Sequence, residues 1–258
     1  ALARLISAIE SGHPGLPEVF AALPPGPGAA HVVGITGAPG AGKSTTTSAL
    51  IGAWRARGLS VAVLAVDPSS PFTGGALLGD RIRMDEHAAD PGVFIRSMAA
   101  RGHLGGLAAA TPQAIRLLAA LAYDVILVET VGVGQSEVEI AGAADTTVVL
   151  LAPGMGDGIQ AAKAGILEIA DVFAVNKSDL PGSHRTVREI RQALNLTVRA
   201  DDTGTRPAIV PISALDGTGI AELIAAIDAH RERAAGTGEL AARRARRARA
   251  EIEALVLR

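Results

Sequence analysis

"VVGITGAPGAGKSTT", residues 32–46, decides how the rest of the chain is read. An apolar run ends on Gly37, four residues follow, and then come Gly42, Lys43 and Ser44 at the opening of a helical pattern. Glycines in such a turn let successive N–H groups curl inward at the positive end of the helix, which makes a cradle for anions. Gly37, Ala38, Pro39, Gly40, Ala41, Gly42, Lys43, Ser44 and Thr45 are therefore assigned to the phosphates of a nucleotide. In this pattern Lys43 reaches the β- and γ-phosphates as a point charge, and Ser44 offers its hydroxyl to Mg²⁺. The strand before and the helix after separate a P-loop from a mere glycine-rich turn.

Working outward, strand-like runs at 31–36, 60–66, 93–96, 123–129, 146–152, 171–176 and 208–212 alternate with amphipathic stretches. These runs are continuously apolar instead of alternating. That predicts an α/β fold of the P-loop NTPase type, with a mainly parallel sheet covered by helices on both faces. Residues 1–23 read as helical before "PPGPG" (24–28) breaks the chain, and 217–231 and 239–258 read as further helices. The expected organisation is a helical N-terminal extension (1–30), a nucleotide domain (31–232) and a C-terminal helical arm (233–258). Six arginines fall within 236–258 and are expected on a solvated helix face. The alternative is a dimerisation arm, because Ile252, Leu255 and Val256 give it an apolar edge.

Composition narrows the function. Hydrophobic residues make up 48% of the 258 and aromatics only 2%, so Ala, Val, Leu and Ile must build the core. A net charge of −2 gives no bulk attraction to nucleic acid or to a membrane surface. The absence of cysteine excludes disulfides and cysteine metal sites. No apolar run is long enough to span a bilayer and no signal peptide is evident, so a cytoplasmic protein is expected. Of the 24 basic residues only Lys43, Lys163 and Lys177 are lysines. In an arginine-rich chain, lysine is expected where a compact ammonium on a slim stem cannot be replaced by a planar fork.

"DVILVETVGVGQSE" (124–137) puts a carboxylate, Glu129, at the tip of an apolar strand. Beside a P-loop, that position faces Mg²⁺ and the γ-phosphate, because ligands of open α/β sheets gather at the carboxyl ends of the strands. Glu129 is assigned to the metal's hydration shell or a catalytic water, with a buried salt bridge as the alternative. Gly132 is assigned to a backbone N–H at the γ-phosphate, where a side chain would obstruct it. Asp67, closing "VAVLAVD", and Asp80, in "LLGDR", are the other carboxylates placed near the metal; a cap or turn role is the alternative for Asp80.

At the base end, "VFAVNKSDL" (172–180) carries the Asn-Lys-x-Asp pattern of guanine readers. Asp179 accepts from guanine N1–H and its amine, whereas adenine would leave the carboxylate unpaired. The stem of Lys177 covers the ring, and Asn176 ties the loop back to the P-loop. Ser213, Ala214 and Leu215 end the next strand, where the Ala214 N–H is placed to meet guanine O6. GTP and GDP are thus preferred over adenine nucleotides. Between the two ends lies "APGMGDGIQAAKAG" (152–165), in which Asp157, Gln160 and Lys163 share one helical face.

Together "GAPGAGKSTT", "AVLAVDPSS", "GGALLGDRIRM", "FIRSMAARGHLGG", "VILVETVGVGQSEVE" and "LLAPGMGDGIQAAKAGILEIADVFAVNKSD" resemble the GTPase chaperones of methylmalonyl-CoA mutase, bacterial relatives of the methylmalonic aciduria type A protein. The resemblance implies a GTP hydrolase that uses Glu-Thr-x-Gly. It implies roles for Lys43, Ser44, Asp67, Asp80 and Glu129 around Mg²⁺ and phosphate, and a third switch loop whose Lys163 acts when the mutase binds. It also implies an adenosylcobalamin-dependent mutase as partner, and homodimers built partly through the C-terminal segment. Three rival readings are a guanine-nucleotide scaffold without meaningful hydrolysis, a transport-linked kinase, which would need an acceptor site and ATP and against which Asp179 speaks, and a metal-insertase GTPase. Six scattered histidines and no cysteine disfavour the last.

Overall fold

The computed structural model describes residues 1–24, 28–67, 85–99, 110–130, 136–154, 165–197 and 206–256. Strands β1 (His31–Gly37), β2 (Val61–Asp67), β3 (Val93–Ala99), β4 (Val125–Thr130), β5 (Thr146–Leu151), β6 (Val172–Val175) and β7 (Ala208–Pro211) pair in parallel, in the order β3-β2-β4-β1-β5-β6-β7. Every strand expected from the sequence is present, with ends moved by a few residues.

Strand parity sorts the side chains between two layers. Val32, Ala62, Leu64, Ile126 and Val128 face one side, packed with α4 (Thr111–Ala120) and α5 (Ser136–Ala143). The N-terminal helix α1 (Leu2–Ser11) joins that layer through Ile6 and Ile9, and its Glu10 pairs with Arg96 of β3 at 2.9 Å; α2 (Leu16–Ala22) follows it. Val33, Ile35, Val61, Val63, Val125 and Leu127 face the other side. There they meet Leu50, Ile51 and Trp54 of α3 (Lys43–Ala56) and Leu223, Ile224 and Ile227 of α8 (Ile220–Gly236). Burial on both faces explains why the strands read as unbroken apolar runs. Beyond β5, the short α6 (Ile166–Ile169) and α7 (Ser183–Thr197) pack Leu167, Ile190 and Leu194 on Val149, Phe173 and Val175.

Helix α9 (Glu239–Val256) corrects the solvated-face expectation for three of its arginines. Arg243 reaches Asp171, at the start of β6, with both Nη atoms at 2.8 Å. Arg244 and Arg247 converge on Asp145, at the start of β5, at 2.6 and 2.9 Å. The three side chains are only 21%, 18% and 11% exposed. The carboxylates lie at the strand starts, and α9 runs beneath them.

The order of the sheet places the nucleotide motifs together. β1 lies between β4 and β5, so the turn leaving β1 opens beside the ends of both. Ile35 of β1 and Ala65 of β2 flank Glu129 in register, and Asp67 ends β2 on the same edge of the sheet. Among the described residues, no helix is long and apolar enough to cross a membrane.

Candidate nucleotide site

Two glycines make the phosphate turn possible. Gly37 has φ of 145°, and a Cβ there would overlap the Leu150 carbonyl of β5. Gly42 has φ of 93° at the N-cap of α3, and a Cβ there would overlap the side-chain amide of Asn176. Both need glycine for the left-handed backbone and for the close approach. The Gly42 contact joins the two motifs, because it lets Asn176 from the end of β6 reach into the P-loop.

Asn176 fastens three segments. Its Nδ2 donates to the Ala41 carbonyl at 2.9 Å, and its Oδ1 accepts the Ala214 N–H at 3.0 Å. The tie to the P-loop is the one its sequence position suggested. The Ala214 N–H, placed by sequence at guanine O6, here serves Asn176. Around it, Ser178 N–H donates to Ile212 O at 2.9 Å and Ser213 N–H to Thr218 O at 2.9 Å. Thr218 and Ser213 also donate to Asp216, and those hydrogen bonds hold its carboxyl below the ordinary range. Lys177 adopts a left-handed φ of 57°, and Asp179 is exposed at the same loop. Leu215 is 91% exposed.

At the phosphate end, the Lys43 ammonium donates to Gly37 O at 2.8 Å and Ala38 O at 3.3 Å, so it arches back over the turn it follows. Ser44 and Glu129 meet: the hydroxyl donates to Oε1 at 2.9 Å, and the carboxylate is buried. Thr47 donates to Oε2 at 2.8 Å. On the opposite face of the sheet, Thr130 donates to Thr36 at 3.1 Å, which ties the tip of β4 to the strand that launches the P-loop. Thr47, Thr36 and Thr130 were not singled out from the sequence. Thr47 carries a readable signal, since it lies three residues after Ser44 and so on the same helix face.

An oxygen set of Ser44 Oγ and the Glu129 carboxylate suits a hard divalent cation such as Mg²⁺, which takes few protein ligands beside water and phosphate. Asp67 stands at the right edge of the sheet, where its backbone position is described. Asp80, Gly132, Gln135, Asp157, Gln160, Lys163 and His103 lie outside the described residues. Among the described residues, no group of three or more His, Cys, Asp or Glu is arranged to hold a metal, so an all-protein cage is absent from them.

A model of the family described as methylmalonyl-CoA mutase-associated GTPase MeaB matches residues 2–258. A Pyrococcus abyssi protein named as a candidate GTPase is 51% identical over 257 residues, covering 99% of this chain and 79% of its own length. The mouse mitochondrial protein named as a methylmalonic aciduria type A homolog is 42% identical over 215 residues. That alignment covers 82% of this chain and 52% of the mouse protein. Among solved structures, the crystal structure of an LAO/AO transport system kinase superposes with a TM-score of 0.79 at 31% identity. It covers 99% of this chain and 80% of that one.

Proposed function

The chain belongs to the family of methylmalonyl-CoA mutase-associated GTPases, and from that premise we propose that it is a Mg²⁺-dependent GTP switch gating the loading or protection of adenosylcobalamin on a methylmalonyl-CoA mutase. The observation that carries the switch reading is the meeting of Ser44 and Glu129 beside the P-loop at 2.9 Å. Ser44 keeps a lone pair for the metal while its O–H stays donated to Glu129. Asp67, and Asp80 beyond the described residues, complete the proposed acidic side.

Ser44 and the Glu129 carboxylate would hold Mg²⁺ on the phosphate side, where the ion would supply positive charge against the charge that develops on the phosphates. The protein's groups supply the rest. Lys43 exchanges its contacts with Gly37 O and Ala38 O for phosphate oxygens. Glu129 holds the hydration shell or the attacking water, and Gly132 gives a backbone N–H to the γ-phosphate. Asn176 locks base loop to phosphate loop, so that Asp179 and Lys177 register the guanine against the P-loop. Catalysis of this kind rests on preorganised charge and position, so a partner that completes the site raises the rate.

A client that engages Lys163 would accelerate turnover. The family description and the similarity to the methylmalonic aciduria type A homolog support a mutase as that client. Homodimers through the C-terminal segment belong to the same proposal. The test is GTP turnover with methylmalonyl-CoA mutase titrated in, with Lys163→Ala alongside. A saturable rise in the parent that the variant lacks is expected. Slow turnover that stays flat across the titration would overturn the client assignment.

A further inference from the structure

The sheet-facing stripe of α3 runs Ser44, Thr47, Ile51, Trp54, all buried. The face of β4 beneath it runs Glu129, Leu127, Val125, also buried. Both stripes are apolar along their length and turn polar at the same end. At that end, two hydroxyls from one helix face divide the Glu129 carboxylate between them, Ser44 at Oε1 and Thr47 at Oε2. Ser44 belongs to the P-loop motif, and its hydroxyl has a task toward the metal. Thr47 lies one turn deeper, fully buried, and its hydroxyl is given to Glu129.

A carboxylate held at one oxygen still turns about its terminal torsion, which has broad, soft wells. A second donor on the other oxygen fixes the plane. We infer that Thr47 is a positioning residue for GTP hydrolysis: its hydroxyl sets the orientation in which Glu129 meets the hydrated metal. This rests on reading Glu129 as the metal-side carboxylate. Partners that orient metal-side groups are commonly worth about 10–100-fold in metal affinity or activity. A helical threonine divides between two χ1 rotamers, and the 2.8 Å bond to Oε2 marks the one Thr47 adopts here.

The experiment compares Thr47→Val, which keeps the shape and removes the hydroxyl, with Thr47→Ser, which keeps the hydroxyl. Thr47→Val is expected to lower kcat about 10-fold and to raise the Mg²⁺ concentration giving half-maximal turnover. The same rightward shift is expected when Mg²⁺ slows release of a fluorescent GDP, a readout independent of turnover. GDP affinity without Mg²⁺ should stay within about 2-fold of the parent, because the hydroxyl removed in Thr47→Val is donated to Glu129. Thr47→Ser should recover most of both effects. In a Glu129→Gln background, Thr47→Val should add nothing further, since its effect passes through that carboxylate.

Parent-like kcat and Mg²⁺ dependence in Thr47→Val would overturn the assignment. So would equal impairment in Thr47→Val and Thr47→Ser, which would point to packing of the whole side chain instead of to the hydroxyl. If Thr47→Val does not fold, Thr47→Ala stands in its place under the same outcomes. Glu129→Gln alone separates the two levels of argument. If it leaves Mg²⁺ dependence untouched, the metal reading fails; if it is impaired while Thr47→Val is not, only the Thr47 assignment fails.

Discussion

The two ends of the sheet both bury carboxylates, and they satisfy them in different ways. At the strand ends, the named partners of Glu129 are hydroxyls, Ser44 and Thr47. At the strand starts, Asp145 accepts from Arg244 and Arg247, and Asp171 from Arg243 and the Thr147 N–H, with His230 3.1 Å away. Neutral donors fix the geometry of a carboxylate without cancelling its charge, whereas guanidinium groups do both. The first arrangement suits a site that must hold a cation from solution. The second suits one that must never let go. Burial alone would raise the carboxyl of Asp171, but hydrogen bonds from His230 and Arg243 outweigh it and pull it down to about 2.

The sharpest way to break this contrast is at Asp145, whose side chain is fully buried. It caps the Val32 N–H of β1 at 3.1 Å while its own N–H donates to Val32 O at 2.8 Å. Asp145→Ala would strand Arg244 and Arg247, and removing one partner of a buried pair costs about 3–5 kcal/mol. For a chain of this size, that lowers Tm by on the order of 10 °C. Melting should show the drop, while GTP turnover per folded molecule, measured below the transition, stays within about 2-fold. A Tm unchanged in Asp145→Ala would mean that α9 rests on the fold without clamping it.

These strand-start aspartates also mark what the sequence made legible and what it hid. The phosphate and base motifs read out directly, because their chemistry sits in short spacings: Gly37 to Ser44, and Asn176 to Asp179. The strands read out because burial on both faces leaves unbroken apolar runs. Asp124, Asp145 and Asp171 each immediately precede a strand, in "AYDVIL", "AADTTVV" and "IADVFAV". Each accepts a backbone N–H from a neighbouring strand or the residue before one: Ser60, Val32 and Thr147. That repeat was visible, and it is a signal for strand starts in parallel sheets. Its partners were not visible, since Arg244 lies 99 residues from Asp145 and nothing local specifies which arginine turns inward. Thr47 was hidden for a related reason, as its role appears only when β4 is laid under α3.

A smaller effect separates the ends by pH. His31, at the start of β1, lies 2.9 Å from Thr146 Oγ1, which lies 2.9 Å from His230. Burial holds the His31 imidazole neutral, with Arg231 next in effect, and lowers its pKa from 6.5 to about 3. Asp145 opposes that shift, while His230 and Arg244 reinforce it. The sign follows from proton uptake. Between pH 6.5 and about 3 the unfolded chain binds a proton that the fold refuses, so stability is full above pH 6.5 and falls as pH drops. Asp171 contributes with the same sign in a lower window: its stabilisation holds above the ordinary carboxylate range and is lost only as pH falls toward about 2. Melting between pH 7.5 and 4.5 should therefore show a loss of several degrees in the parent and a flatter profile in His31→Gln. The same slope in both would remove His31 as the cause.

The smallest expected effect tests whether the clamp is a property of particular side chains or of a basic helix as such. Arg247 and Arg249 are two residues apart on α9 and carry the same group. Arg247 is 11% exposed, donates to the Ala143 carbonyl at the end of α5, and pairs with Asp145 at 2.9 Å. Arg249 is 81% exposed and pairs along its own helix with Glu253. An exposed pair of this kind forms in high dielectric and orders two long side chains, so its net effect is near zero. Arg249→Gln should leave Tm within about 1 °C, whereas Arg247→Gln should lower it by several degrees, because a buried carboxylate loses a donor and the end of α5 loses its cap. Equal shifts in the two variants would mean that α9 acts through its overall charge, and the pairing at the strand starts would lose its explanatory weight. Unequal shifts would place the strength of that end in two carboxylates and three guanidinium groups, with the rest of the helix serving to deliver them.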